Sequence, residues 1–228
     1  MRIGVAALAL ASLALAAFDA VTIKVTPKEG DILKYKQVAK LDVQGMQIEF
    51  TATASHKVTK VEANGNYSIK EEVSEMKMNG QDLPEGSGLA ASSSTVSAKG
   101  ELIKMEGDRV DESAYRAANL ELFIVPDKAV NQGDSWTYDV KADKGTGAVA
   151  ATAKYTYIGD EKIGSIDAYK VKFQIKETGD AGGSTDGTFW MNKTNGALAK
   201  LTSKWTNVPI TGVGPVSGDI TLTLIQDK

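Results

Sequence analysis

Large apolar residues alternate with polar residues along several segments of this 228-residue chain. In residues 169–176 every second residue is Tyr, Val, Phe or Ile, and the residues between them are Lys or Gln. The same alternation runs through residues 46–50, 136–140 and 220–224. Because successive side chains of a strand point to opposite faces, this pattern predicts strands with one apolar face and one polar, solvent-exposed face. Continuous Val and Ile runs, typical of parallel sheets, are missing, so we predict an antiparallel sheet packed on one side.

Turn residues separate these segments. Asn and Gly, which tolerate a positive φ, occur together at residues 64–66, 79–80 and 194–196 and predict chain reversals there. Two longer stretches rich in Gly, Ser or Pro, residues 79–95 and 179–187, predict flexible loops.

One segment departs from the alternation. Tyr115, Ala118 and Leu122 are spaced three and four residues apart, which predicts a short helix near residues 112–123. Asp111 or Ser113 could cap its first turn. The helix is either a surface connector or a lid over the open end of a curved sheet.

Short motifs recur in the same order in the two halves of the chain. Residues 30–35 (GDILKY) are similar to residues 133–138 (GDSWTY), and residues 100–104 (GELIK) are similar to residues 196–200 (GALAK). Such recurrence indicates a duplicated strand unit. We therefore predict a single all-β domain over residues 17–228, built from two similar halves at about residues 22–106 and 125–228. We expect one continuous curved antiparallel sheet, a half-barrel, with two packed sheets as the alternative.

The first sixteen residues have the features of a secretory signal peptide. Arg2 precedes an apolar stretch, and Ala14-Leu15-Ala16 offers the small-x-small pattern of a cleavage site. Cleavage is expected near Ala16, with a buried N-terminal helix as the alternative. No second apolar run reaches about 18 residues, so we expect no transmembrane anchor. The prediction is a bacterial protein that is periplasmic or secreted.

Composition excludes several kinds of chemistry. The chain has no Cys, which excludes disulfides and thiol catalysis, and a single His, which argues against a histidine metal site. Its 26 basic and 29 acidic residues create no positive field for nucleic acid. The acidic clusters do not have the spacing of a calcium loop. We therefore expect no metal and no cofactor.

Two motifs in the second half resemble a known family. Residues 125–136 (VPDKAVNQGDSW) and the hairpin at residues 189–198 (FWMNKTNGAL), in a chain with a signal peptide, resemble the exported LolA/LolB-like lipoprotein carriers. The similarity lies mainly in residues 125–205. It implies an incomplete β-barrel that holds acyl chains under a curved sheet, and it assigns no site residue.

Polar residues that could be catalytic have simpler interpretations. His56 continues the apolar face of residues 46–54, so we interpret it as a rim or core histidine. Glu71, Glu72 and Glu75 are expected to face water. The Ser-rich residues 92–94 lack the Gly-x-Ser-x-Gly context of a hydrolase nucleophile.

Aromatic residues are the candidates to line a ligand cavity, although the same set would also suit a filled core. They are Phe50, Trp136, Tyr169, Phe173, Trp190 and Trp205. The leading prediction is an exported non-catalytic protein that binds a hydrophobic or amphipathic ligand, a lipid or acyl chain, on the concave face of the sheet. The alternative is a structural or protein-interaction module of the bacterial envelope with a filled core. We expect no enzymatic activity, because no convergent polar constellation is visible in the sequence.

Overall fold

The computed structural model describes residues 19–84, 91–179 and 182–226. The predicted signal peptide, residues 1–16, lies outside the described residues. Strand makes up 60% of the structure, with one short helix. The strands are β1 (Ile32–Val43), β2 (Met46–Val61), β3 (Tyr67–Met78), β4 (Gln81–Asp82), β5 (Ser92–Val96), β6 (Leu102–Glu106), β7 (Ser135–Val140), β8 (Ala151–Ile163), β9 (Ile166–Glu177), β10 (Ser184–Asn192), β11 (Leu198–Ile210) and β12 (Gly214–Leu224).

All twelve strands belong to one antiparallel sheet. Its order is β6-β5-β3-β2-β1-β12-β11-β10-β9-β8-β7, and β4 is attached to β3. Within the described residues β6 and β7 are the two edges and do not pair with each other, so the sheet is not closed into a barrel. The predicted fold class, a single open antiparallel sheet with one short helix, is confirmed.

The alternating pattern determines which face is buried. In β9, Val171, Phe173 and Ile175 are buried, whereas the intervening Lys172 and Gln174 are exposed. The inward residues of the other central strands join them in one core on the concave face.

The helix α1 (Glu112–Asn119) is shorter than the prediction of residues 112–123. Asp111 is its N-cap, and its carboxylate accepts a hydrogen bond from the Ala114 amide at 3.0 Å. The chain then becomes extended, because Leu120, Leu122 and Ile124 alternate inward and are all buried. Beyond residue 119 the chain therefore follows the period-two pattern of an extended segment and not the spacing of a helix.

The segment that follows α1, residues 120–130, crosses the concave face and is held there by side chains of the sheet. Its Leu120 carbonyl accepts a hydrogen bond from the Thr185 hydroxyl. The Leu122 carbonyl accepts one from the Tyr155 hydroxyl at 2.8 Å. The Ile124 carbonyl accepts one from Trp136 Nε1 at 2.8 Å. We call residues 120–130 the crossing segment.

A second difference concerns the predicted loop at residues 79–95. Residues 92–95 form most of β5, which pairs with both β3 and β6. Ser and Thr side chains there lie on a half-buried strand, and Thr95 Oγ1 is 3.1 Å from Ser68 Oγ on the neighbouring strand. Cross-strand hydroxyl pairs of this kind stabilise a sheet.

The two Gly-Asp turns that precede β1 and β7 have the same hydrogen bonds. The Gly30 amide donates to the Val58 carbonyl at 2.9 Å, and the Gly133 amide donates to the Tyr157 carbonyl at 2.8 Å. In both turns the aspartate carboxylate accepts from the amide three residues earlier. These contacts define equivalent positions in the two halves, with Val58 corresponding to Tyr157.

Candidate functional site

A cavity of about 360 Å³ lies under the first half of the sheet. Its floor is formed by inward residues of β1, β2, β3, β5 and β6. It is covered by α1, by the start of the crossing segment and by the β10–β11 hairpin. Strands four positions apart, such as β2 and β10, would be about 19 Å apart in a flat sheet. Because both contribute walls to one cavity, the sheet must be strongly curved.

The walls are mainly aliphatic. The apolar lining includes Val25, Leu33, Val58, Ile69, Val96, Leu102, Met105, Leu122, Met191 and Leu198. The volume lies within the range of about 300–1,000 Å³ that is typical of small-molecule pockets.

Residues that are paired across adjacent strands form rows on the concave face, and a comparison of these rows between the halves explains why the cavity lies in the first half. In the second half, the row that starts at Trp136 continues through Tyr155 and Phe173. In the first half, the equivalent row starts at Leu33 and continues through His56, Glu71 and Ser92. Three large aromatic side chains are thus replaced by smaller or polar ones.

The neighbouring row shows the same replacement. In the second half it runs from Tyr157 through Val171 to Phe189. Its first-half equivalent runs from Val58 through Ile69 to Ser94. Since Ser94 stands where the other half has a phenylalanine, the first half has space that the second half fills.

In the second half, aromatic side chains fill the corresponding space. Phe123 of the crossing segment packs edge-on against Trp136, Tyr155 and Phe189, with ring centroids 5.3–6.5 Å apart. Phe173 and Phe189 lie 4.4 Å apart. Phe123 and Phe189 also line the cavity, so this aromatic group forms the wall between the filled half and the cavity.

Polar groups converge in the cavity around the His56 row. His56 Nε2 lies 3.4 Å from Glu71 Oε2, and the His56 ring lies 4.9 Å from the Tyr35 ring. Burial acts to raise the pKa of Glu71, but the hydrogen bond to His56 and the histidine charge outweigh it, so this pKa is lowered. Glu71 is therefore a carboxylate at neutral pH.

A second carboxyl group comes from the crossing segment. Glu121 Oε1 accepts a hydrogen bond from Trp205 Nε1 at 2.6 Å. Burial raises the pKa of Glu121, the Trp205 and Ser203 side chains oppose that rise, and the negative charge of Glu71 adds to it. The two carboxyl groups reach the cavity from opposite walls and interact electrostatically.

Two tyrosines also belong to the polar part of the lining. Burial raises the pKa of both Tyr35 and Tyr67, so both phenols stay neutral. Asp31, Asn195 and the hydroxyl groups of Ser92 and Ser94 are also in the lining. No lysine or arginine occurs among the described residues that line the cavity.

The six aromatic residues predicted to bind ligand lie outside the cavity lining within the described part of the chain. Trp136 and Phe173 belong to the filled aromatic group, Tyr169 packs 5.9 Å from the Tyr157 ring, and Phe50 packs on the edge of the core. Trp205 donates a hydrogen bond to Glu121, which lines the cavity.

Trp190 is on the other face of the sheet. It packs with Ala168 and Ala199 in a small cluster, and Lys170 and Lys200 lie 5.5 and 5.0 Å from its ring centroid. The ligand-contact role of these six residues stays a prediction, and the cavity points to other residues.

The structure agrees with the sequence-based interpretation for some polar residues of the cavity and differs for others. His56 does lie on the inward face, at the rim of a cavity. Glu71 was expected to face water, but it faces the cavity, because it follows Tyr67 and Ile69 at a period of two. Glu72 and Glu75 are exposed as expected. Glu121 had no signal in the sequence, because its position depends on where α1 ends.

The chain is similar to solved structures at low sequence identity. No protein family and no curated protein matches the chain. A Bacteroides fragilis protein described as exported and as having a YmcC-like fold aligns with 90% of this chain and 100% of its own, at 12% identity and a TM-score of 0.40. DynF from the dynemicin biosynthesis pathway of Micromonospora chersina aligns with 92% of this chain and 85% of its own, at 10% identity and a TM-score of 0.23. The chain is not identified as a LolA/LolB-like carrier.

Two properties of the described residues bear on the kind of site. Across residues 19–84, 91–179 and 182–226, no helix is long and apolar enough to cross a membrane. The same ranges contain no group of three or more His, Asp or Glu side chains arranged to hold a metal ion.

Proposed function

We propose that this chain is an exported, non-catalytic protein that binds the tail of a hydrophobic or amphipathic ligand in the first-half cavity. The observation that carries the proposal is the aliphatic cavity of about 360 Å³ at positions where the other half is filled by aromatic side chains. An apolar cavity with a few converging polar groups is the usual form of a small-molecule site.

The volume suits a ligand with a single alkyl chain. A water-sized group takes about 30 Å³, so the cavity holds about a dozen non-hydrogen atoms. A tail of about ten carbons fits this space. The two chains of a phospholipid exceed it.

The arrangement of the polar row favours binding over catalysis. Glu71 lies between His56 and Ser92 on adjacent strands, so the histidine faces the carboxylate and not the serine. A serine nucleophile needs the histidine as its direct neighbour. The row therefore lacks the order of a hydrolytic triad.

The proposed export is supported by the amino-terminal sequence. The apolar stretch and the cleavage pattern near Ala16 favour a periplasmic or secreted protein. Amino-terminal sequencing of the protein from a bacterial host tests it, with a start near residue 17 expected and an intact Met1 contradicting it.

Ligand binding can be tested by filling the cavity. Ser94→Phe places in the first half the residue that the second half has at the equivalent position, Phe189. The phenyl ring takes space that several methylenes of a tail would use. At about 0.8 kcal/mol per methylene, the affinity for 1-decanol should fall at least about tenfold.

The measurement is isothermal titration calorimetry with 1-decanol, a neutral ligand, and the matched control is Ser93→Phe. Ser93 is the adjacent residue of β5 and is outside the cavity lining, so its variant should bind like the wild type. If wild-type protein binds no decanol, the cavity is not a tail-binding site. That outcome favours the alternative of an envelope interaction module, which a pull-down from envelope extract would examine.

A further inference from the structure

The charges in the cavity indicate which head group the ligand carries. Glu71 and Glu121 reach the cavity from opposite walls, and Asp31 lies in the same lining. His56 is the basic residue among the described lining residues, and it already contacts Glu71 at 3.4 Å. The cavity is thus apolar with an acidic polar part.

Both glutamates have unused hydrogen-bonding capacity. Glu121 accepts a hydrogen bond from Trp205, and Glu71 pairs with His56. The Ser203 hydroxyl is a second polar neighbour of the Glu121 carboxyl group. An ionised carboxylate has about four acceptor sites, and the Glu71 side chain is 46% exposed, so its carboxylate can accept further hydrogen bonds from a ligand.

An ammonium group has the matching chemistry. It carries three N–H donors, a positive charge and no acceptor. A carboxylate or phosphate head would instead meet the like charge of Glu71, with no lysine or arginine among the described lining residues to offset it. A neutral hydroxyl head would use one acceptor site and leave the charge unmatched.

We propose that the cavity selects a single-chain amphiphile with a primary amine head, which binds between Glu71 and Glu121 while its tail occupies the aliphatic walls. This inference rests on the proposed tail binding and adds the chemical class of the ligand. A charge-assisted hydrogen bond is stronger than a neutral one by an amount that corresponds to about tenfold or more in affinity.

The test compares three ligands that share one tail: decylamine, 1-decanol and decanoate, titrated by calorimetry at pH 7.5. We expect decylamine to bind at least about tenfold more tightly than decanol, and decanoate to bind most weakly. Equal affinity for the amine and the alcohol would overturn the amine inference and leave tail binding intact. Failure of all three ligands to bind would overturn the proposed function itself.

Variants then assign the selectivity to the two carboxyl groups. The double variant Glu71→Gln/Glu121→Gln should lose the preference for the amine and still bind decanol. Glu72→Gln is the matched control, because Glu72 is the adjacent residue, faces solvent and pairs with Lys70. An amine preference that persists in the double variant would refute the assignment to Glu71 and Glu121. Decanol binding in the same titrations shows that the variant has kept its cavity.

Discussion

Removal of the Arg116 side chain should destabilise the cover of the cavity. Arg116 lies in α1, and its guanidinium donates two hydrogen bonds to Glu177 in β9, from Nε at 2.8 Å and from Nη2 at 2.7 Å. The Glu177 side chain is 2% exposed, so this is a buried ion pair. Glu177 also accepts a hydrogen bond from the Gly183 amide at 2.7 Å. The pair fastens α1 to the second half of the sheet.

The expected loss of stability on Arg116→Ala follows from the burial of Glu177. Arg116→Ala leaves a buried carboxylate with one amide donor, and breaking a buried pair in this way costs about 3–5 kcal/mol. For a domain of this size, 1 kcal/mol corresponds to about 2–4 °C in Tm, so the fall should be about 6–20 °C. Because Ala118 and residues 121–123 line the cavity, ligand affinity should fall with the loss of this attachment.

The assay is thermal and urea unfolding followed by circular dichroism, for three variants. Arg116→Met/Glu177→Met removes both charges and should lie much nearer the wild type than Arg116→Ala, since it leaves no unpaired buried charge. Lys162→Ala removes one partner of an exposed pair, with Asp167 at 3.6 Å, and should change stability by less than about 1 kcal/mol. If Arg116→Ala stayed within about 1 kcal/mol of the wild type, the reasoning about the buried pair would be wrong.

Two further predictions concern the crossing segment. Because the folded pKa of Glu121 is raised, its contribution to stability is fully present below the unfolded value of about 4.3 and is lost as the pH rises through the folded value. Glu121→Gln should therefore stabilise the protein against urea at pH 8 relative to pH 4, and an equal effect at both pH values would contradict the assigned shift. Tyr155→Phe leaves the Leu122 carbonyl without its buried donor and should cost about 1–3 kcal/mol. Tyr157→Phe, whose hydroxyl bonds the exposed Asp160, is the control and should cost less.

The strands of the second half could be predicted from the sequence because each carries its own signal. Residues 169–176 alternate cleanly, and the observed strand β9 buries the predicted apolar set. The prediction succeeds where one face of the sheet packs on the core and the other is exposed to water, since apolar and polar residues then indicate the two faces.

The end of α1 could not be predicted, because two periods overlap in residues 112–124. Tyr115, Ala118 and Leu122 fit a helix, and Leu120, Leu122 and Ile124 fit an extended segment. The choice between them is made by partners far away in the sequence, namely the Thr185, Tyr155 and Trp136 side chains that hydrogen-bond the carbonyls of residues 120, 122 and 124. Local sequence contains no information about these donors.

The inward position of Glu71 is hard to predict from the sequence for a related reason. Glutamate is seldom found at an inward position, so its residue type favours solvent, whereas the position of Glu71 two residues after Ile69 places it on the core face. A positive φ of 51° at Glu75 and a register shift between Thr51 and Thr53 then interrupt the alternation later in the same strand.

The difference between the two halves gives the best sequence signal for the cavity. Equivalent positions are occupied by Tyr155 and His56, by Phe173 and Glu71, and by Phe189 and Ser94. Each replacement removes volume, the first puts an imidazole in place of a phenol, and the second puts a carboxyl group in place of an apolar ring.

A core that loses this much volume and gains polarity is destabilised unless another part of the fold supplies the stability. Here the filled aromatic half supplies it, since the crossing segment is hydrogen-bonded to that half and extends over the cavity from there. The second half thus stabilises the fold, and the first half can contain a cavity. A binding site in the first half is therefore compatible with a stable single sheet.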